Sequence, residues 1–270
     1  MGLREISVVV PVFNEAAGIA PVLHRLAQHV ATLTSRYDVE VIVVDDGSDD
    51  GTPGILQRFA ADNPGVARIV RHEKNAGLVA AMRTGAEVAR FETVVFLDAD
   101  LSYDPAIIEP LVRARLLTNA KAALASPYMA GGRVANVPVA RLIASRGANW
   151  ILTRCVGGRL HTLTGMVRAY DREAFVRLFD HPIAGEFNTW ATAVLLQAGH
   201  TVTEIPAALV WPRDRYAAPS RLTGGQLWER VRLVVKTARM LARASRSAQD
   251  EPGTGTFGLP KSPSRPYSAK

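Results

Sequence analysis

Four apolar runs, each with β-branched character and each closed by polar residues, recur along the first hundred positions: Ile6–Val12, Val39–Val44, Val66–Arg71 and Thr93–Leu97. A run with no polar alternation suits a strand covered on both faces. Between them lie segments with helical spacing. Ala16–Thr34 places Ile19, Val22, Leu23, Leu26, Val30 and Leu33 on one stripe, and Thr52–Ala61 and Leu78–Ala89 read as shorter helices. Strand–helix alternation at this pitch predicts an α/β fold with a doubly wound, mostly parallel sheet and a Rossmann-like nucleotide-binding half. Ligands of such sheets bind beyond the carboxyl ends of the strands. Asn14-Glu15, Asp45-Asp46 and Asp98-Ala99-Asp100 all fall there.

The second half is less regular. It predicts strands at Ala122–Ser126, Met166–Tyr170 and Val202–Pro206, and helices at Pro138–Val156, Glu173–Leu178 and Thr189–Ala198, with a loop at Gly131-Gly132-Arg133. From about Ala248 the chain is rich in Pro, Gly, Ser and Thr, which predicts a disordered tail over 248–270. The expected organisation is a catalytic domain over 1–220, a basic amphipathic helix over 221–247, and that tail.

The net charge of +7 on 270 residues is unevenly placed. Residues 221–246 carry seven basic side chains and one acid, while residues 1–220 are near neutral. A groove that coats nucleic acid would be basic throughout, so no nucleic-acid partner is expected. Leu227, Val231, Val234, Val235, Ala238 and Leu241 fall at helical spacing among Arg230, Arg232, Lys236, Arg239, Arg243 and Arg246. Such a helix can lie on an anionic bilayer or pack on its own domain with its charges solvated. The single cysteine, Cys155, excludes an internal disulfide and fits a cytoplasmic setting. No signal peptide and no membrane-spanning run are read, so any attachment is expected to be peripheral, at the inner face of the cell membrane.

Asp98-Ala99-Asp100 closes an apolar strand, so a carboxylate here starts partly buried beside a like charge. That is costly unless a cation lies with it. Mg²⁺ or Mn²⁺ takes one or two carboxylates together with phosphate oxygens, so a metal that also holds a diphosphate resolves the conflict. Asp45-Asp46-Gly47-Ser48 is open between two readings. It is a turn capping the next helix, or it offers a carboxylate to a nucleobase N–H or a ribose hydroxyl.

In order and spacing, Val10-Pro-Val-Phe-Asn-Glu15, Val43-Val-Asp-Asp-Gly-Ser48, Asn75-Ala-Gly77 with Ala81 and Gly85, and Phe96-Leu-Asp-Ala-Asp-Leu101 resemble the family 2 glycosyltransferases of GT-A fold. Ala125-Ser-Pro-Tyr-Met-Ala-Gly-Gly-Arg133 and Arg141-Leu-Ile-Ala-Ser-Arg-Gly-Ala-Asn149 are similar to the polyprenyl-phosphate (dolichol-phosphate) mannose or glucose synthase branch. The resemblance implies that Pro11, Phe13, Glu15 and Asp45 hold the base and ribose of a nucleotide-sugar donor. It implies that Asp98 sits by ribose or sugar, that Asp100, with Asp98 beside it, binds the metal, and that loop and helix arginines meet phosphates. Arg133, Arg141, Arg146 and Arg168 are the candidates, Arg133 toward the donor and Arg146 as the catalytic cation. Three departures surround the acceptor region. Pro127 stands where that branch commonly has Arg, Ser102 where it often has Gln, and His161-Thr-Leu-Thr-Gly-Met166 replaces an Asp-X-Thr-Ser-Gly-Phe segment.

The expected activity is metal-dependent, inverting transfer of a hexose from GDP-mannose or UDP-glucose to a polyprenyl phosphate at the membrane surface. A lipid phosphate needs cationic positioning and no base, whereas a glycan, glycolipid or small-molecule hydroxyl needs a base. Glu186 is the candidate base in that alternative, or else an N-terminal cap of the helix near Thr189. A sugar nucleotidyltransferase would want a glycine-rich basic loop after the first strand, which Pro11-Val-Phe-Asn-Glu15 does not supply. A non-catalytic nucleotide-sugar-binding protein would have no use for intact Asp98, Asp100 and Asp45.

Overall fold

The computed structural model describes residues 4–100, 102–157, 159–183, 185–211, 232 and 235–238. Its centre is a seven-stranded sheet of order β3-β2-β1-β4-β7-β5-β8. The strands are β1 (Arg4–Val12), β2 (Tyr37–Asp45), β3 (Ala67–Arg71), β4 (Thr93–Phe96), β5 (Ala122–Ser126), β7 (Arg168–Asp171) and β8 (Val202–Pro206). β1 to β4 pair in parallel, and β5 pairs in parallel with β8. β7 is antiparallel to both β4 and β5 and joins the two groups.

The unbroken apolar runs follow from burial on both faces. On β1, Val8, Val10 and Val12 enter one core while Val9 enters the other, and Val41 and Val43 alternate in the same way with Ile42 and Val44 on β2. The first core is closed by α1 (Ile19–Leu33), α2 (Thr52–Asp62) and α4 (Ile108–Leu117). The second is closed by α3 (Leu78–Val88), α6 (Arg172–Arg177) and α7 (Phe187–Gln197). α3 lies so close to the sheet that a Cβ on Gly85 would stand 2.3 Å from Val9 Cγ1. Residue 85 therefore has to be glycine for this helix to seat.

α5 (Val139–Cys155) lies beyond the sheet, over a third small apolar cluster that includes Leu152, Leu160 and Leu163. A short parallel ribbon of β6 (Arg133–Ala135) and β9 (Ala208–Val210) runs beside it. No helix among the described residues is long and apolar enough to cross a membrane.

Boundaries differ from the sequence expectation where local bonding overrides pattern. α1 begins at Ile19, because Gly18 N and Ile19 N both donate to Glu15 O and make a turn of residues 15–18. The loop expected at 131–133 ends one residue early, since Arg133 opens β6. α4, β6 and β9 were not anticipated. The expected basic helix of 221–247 lies outside the described residues except for residues 232 and 235–238, which are helical. Of these, Thr237 is buried against Gly185-Glu186 and accepts from Glu186 N at 3.2 Å, and Ala238 packs on the α5 cluster. This turn packs on its own domain. The expected tail of 248–270 lies outside the described residues.

Candidate active site

The carboxyl ends of β1, β2 and β4 form one edge, and their loops are stitched together. Asn14 N donates to Ser48 Oγ and Glu15 N to Thr52 Oγ1, both at 2.9 Å, and Asp49 N donates to Asn14 Oδ1 at 3.0 Å. Pro11 is buried within β1, Glu15 is half-buried in the turn that follows, and the ring of Phe13 is 43% exposed over the edge. Asn14 takes φ 52°, which turns the chain away from the strand direction at once.

The paired aspartates after β2 divide their work. Asp46 Oδ1 meets His72 Nδ1 at 2.7 Å and accepts from Ala76 N at 2.9 Å, while Oδ2 accepts from Gly77 N at 2.8 Å. Asp46 is thus saturated and pins the 72–77 loop. Asp45 is fully buried, and its Oδ1 accepts from Ser48 N at 2.9 Å. Its Oδ2 lies 3.2 Å from Arg71 Nε but has no hydrogen bond among the described residues. A buried acceptor left open is costly and marks a place where a ligand donor can bind. Asp45 thus closes the 45–48 turn through Oδ1, and neither aspartate caps α2, whose N-cap Gly51 has no side-chain cap bond. Gly47 permits the crossing: at φ +74° it brings a would-be Cβ within 2.4 Å of the Lys74 backbone.

Beyond β4, Asp100 Oδ1 accepts from Ser102 N at 2.8 Å, and Ser102 Oγ reaches Asp98 Oδ2 at 3.4 Å. Burial, and then the charge of Asp100, pushes the Asp98 carboxyl up to about 7, against the Ser102 hydroxyl. The buried phenol of Tyr103 is raised by burial and then by Asp98 and Tyr128, so these groups face one space. The site fits a divalent cation on this observation: two oxygen donors repel each other, and a cation would remove the repulsion. No set of three His, Cys, Asp or Glu ligands gathers among the described residues, so other coordination positions would fall to a donor's phosphates and water.

A cleft of about 660 Å³ is lined by Tyr128, Arg146, Trp150, Thr153, Arg154, Leu160 and His161. α5 supplies most of it. Asn149 faces inward, where Oδ1 accepts from Leu163 N at 2.7 Å and fixes the 160–165 loop to the helix. Arg146 faces outward, its guanidinium 5.7 Å from the centre of the Tyr128 ring, and Arg154 lies 4.4 Å from that of Trp150. Arg154 was not singled out in the sequence, although its position four residues after Trp150 places both on one helix face.

The other sequence-derived candidates are dispersed. Arg133 is exposed on β6, and Arg141 stacks on Trp211 at 4.2 Å. Arg168 corrects an expectation. Read as a phosphate-positioning cation, it is 1% exposed and donates to Gly165 O, Asn188 O, Thr192 Oγ1, Tyr170 Oη and Leu163 O. Its guanidinium is engaged in holding the 163–165 loop to α7. Glu186 caps α7, with its oxygens accepting from Asn188 N, Thr189 N and Thr189 Oγ1 at 3.1, 2.8 and 2.6 Å. That is the cap arrangement weighed against a role as base.

A parallel sheet with one reversed strand, and an Asp-X-Asp turn at its acidic edge, define a glycosyltransferase of GT-A fold. The chain belongs to glycosyl transferase family 2, whose model matches residues 7–179. It is 28% identical over 228 residues to a polyprenol monophosphomannose synthase of Mycolicibacterium smegmatis, covering 82% of each chain. A dolichol-phosphate mannosyltransferase of Pyrococcus furiosus is 31% identical over 144 residues, 53% of this chain and 39% of that protein. The chain thus spans well under half the length of that relative. Among solved structures, glucosyl-3-phosphoglycerate synthase from Mycobacterium tuberculosis in complex with UDP superposes with TM-score 0.62, at 22% identity, over 87% of this chain and 80% of that one. A mannosyltransferase from Pyrobaculum calidifontis in complex with GDP-Man and Mn²⁺ gives TM-score 0.53, at 19% identity, over 92% and 76%. At these identities the likeness is one of fold.

Proposed function

We propose that this chain transfers a hexose, with inversion, from GDP-mannose or UDP-glucose to a polyprenyl phosphate at a membrane surface, using Mg²⁺ or Mn²⁺. The observation that carries the proposal is the cleft. It sets Arg146 and Arg154 among Tyr128, Trp150 and Leu160. Paired guanidiniums suit an anion, and aromatic and aliphatic walls suit the tail attached to it. The mycobacterial relative, named for a polyprenol product and covering 82% of this chain, supports the same substrate class.

In this reading Pro11, Phe13 and Glu15 border the base and ribose, and the open Oδ2 of Asp45 accepts from one of their donors. Asp100 and Asp98 hold the cation, which, when bound, neutralises charge building on the leaving nucleoside diphosphate. Arg146 turns the acceptor phosphate toward the anomeric carbon from the face opposite the leaving group. No proton needs to be removed from an acceptor that is already an anion, so Glu186 is free to act as a cap.

The membrane part of the proposal is supported by α5. Val139, Ile143 and Trp150 are 71%, 66% and 60% exposed. With Arg146 they follow i, i+4, i+7, i+11 spacing, which puts apolar and basic groups on one face.

The test is nucleoside diphosphate release with each donor and each metal, with and without a short polyprenyl phosphate. The proposal requires release that rises with the lipid phosphate, and the better donor names the sugar. Release that ignores the lipid phosphate but responds to a sugar or small-molecule hydroxyl would move the acceptor to that class.

A further inference from the structure

One buried carboxylate near the cleft has no role in the scheme above. Glu204 lies on β8, and its side chain is 4% exposed. Its Oε1 accepts from the backbone N–H of His161, while Oε2 is buried with no hydrogen-bond partner among the described residues. The ring of His161 faces it, with Nδ1 3.6 Å away. That ring is 55% exposed and lines the same cleft as Arg146 and Arg154.

The arrangement is a histidine with a carboxylate behind it and an anion-suited cleft in front. A buried, unsatisfied carboxylate oxygen is costly, and a small ring rotation onto Oε2 removes the cost. A bond at Nδ1 decides which nitrogen faces outward. With Nδ1 held by Oε2, Nε2 is the ring nitrogen turned to the cleft. His161 opens the segment in which this chain departs from the Asp-led pattern it otherwise resembles. An imidazole there removes the negative charge that an aspartate would set against an anion.

We propose that His161, oriented through Nδ1 by the buried carboxylate of Glu204, orients the acceptor's phosphate in this cleft through Nε2. Glu204 is a positioning residue and acts only through His161. The inference rests on the phosphate-acceptor reading above.

The experiment uses the full chain, farnesyl phosphate as acceptor probe and farnesol as its uncharged control. Transfer kinetics and calorimetric titration are read for the parent protein, His161→Asn, Glu204→Gln and the double variant. Gln at 204 keeps an oxygen for the His161 backbone N–H and removes the charge. The expected result is an acceptor KM raised about tenfold by each single substitution, the size of one lost charge-assisted hydrogen bond. The double variant should be no weaker than His161→Asn. Affinity for nucleoside diphosphate and for farnesol should stay at the parent level throughout. An unchanged acceptor KM in His161→Asn overturns the proposal. So does a Glu204→Gln effect that adds in full to His161→Asn, or a loss shared by farnesol and nucleotide. A parent protein that neither binds farnesyl phosphate nor transfers to it overturns the phosphate-acceptor reading itself, and this inference with it.

Discussion

Asp46 Oδ1 stands 2.7 Å from His72 Nδ1, and the same carboxylate takes the backbone N–H groups of Ala76 and Gly77. Its neighbour Asp45 keeps Oδ2 without a hydrogen bond, 3.2 Å from Arg71 Nε. Adjacent aspartates should therefore respond to the same substitution in different ways. Asp46→Asn turns an amide N–H toward a backbone donor and should cost about 1–3 kcal/mol of stability in urea denaturation. Asp45→Asn keeps the bond to Ser48 N but gives up the ion pair with Arg71, so a smaller stability loss should accompany a fall in nucleoside diphosphate affinity.

Asp98 and Asp100 repel each other without a cation, and burial adds to the cost at Asp98. In the presence of a chelator, Asp98→Asn should melt higher than the parent, by roughly 2–4 °C for about 1 kcal/mol in a chain of this size. Asp100→Ala should stay folded and lose metal-dependent transfer. Retained transfer with an unchanged metal response would remove Asp100 from the metal site.

The seat of α3 on the sheet gives a third test. Gly85→Ala drives a methyl into Val9 Cγ1 and should destabilise by about 1–3 kcal/mol, since the β-branched side chain is stiff and fully buried. Val9→Ala in the same chain should recover part of that loss. Simple additivity in thermal melts would show that the close approach is not the cause.

Arg168 should behave as a core residue. Arg168→Met leaves Gly165 O and Leu163 O without this donor, while Asn188 O keeps Thr192 Oγ1, and should cost several kcal/mol, at about 1–3 kcal/mol per unsatisfied buried group. In whatever fraction folds, acceptor KM should change less than it does in Arg146→Met.

Burial raises the Asp171 carboxyl, but the hydrogen bond from Lys121 Nζ at 2.8 Å, the Ala174 N–H and the nearby charges of Lys121 and Arg115 outweigh it and hold it below the usual carboxylate range. A depressed native value means that the unfolded chain takes up the proton first. The contribution is present above about pH 4 and is lost as pH falls through the native value. Lys121→Met should lower the neutral plateau of a stability–pH curve and so flatten its acid limb, with variant and parent converging at low pH.

The sheet and its two cores were legible because burial on both faces leaves unbroken apolar runs, and polar residues close each one. α4 was not read. Pro110 looks like a breaker, yet it sits in the first turn, where a missing N–H does no harm. Leu116 and Leu117 then blur the stripe by facing solvent, at 38% and 75% exposure. β6 and β9 are three residues each, too short to carry a period, and depend on partners more than seventy positions away. At the site, the acidic turns were visible because carboxylates at apolar strand ends are conspicuous. Arg168 was misplaced because composition treats arginine as surface, whereas here five neutral oxygens surround it. The open oxygens of Asp45 and Glu204 depend on what fails to approach them, which no linear pattern encodes.

β7 runs against the strands on either side of it. In a parallel strand the loop that follows reaches the working edge, but in β7 it is the loop before the strand, residues 160–167, that arrives there. His161 and the Asn149-bound turn therefore reach the cleft upstream of the strand that anchors them. That anchor joins the β4 side of the sheet through four paired residues, Thr93–Phe96 against Arg168–Asp171. A chain built this way can exchange its cleft-facing segment as a cassette while the β1–β4 half keeps its register, and a departure such as His161 can then accumulate without a compensating change in the loops after β1, β2 and β4.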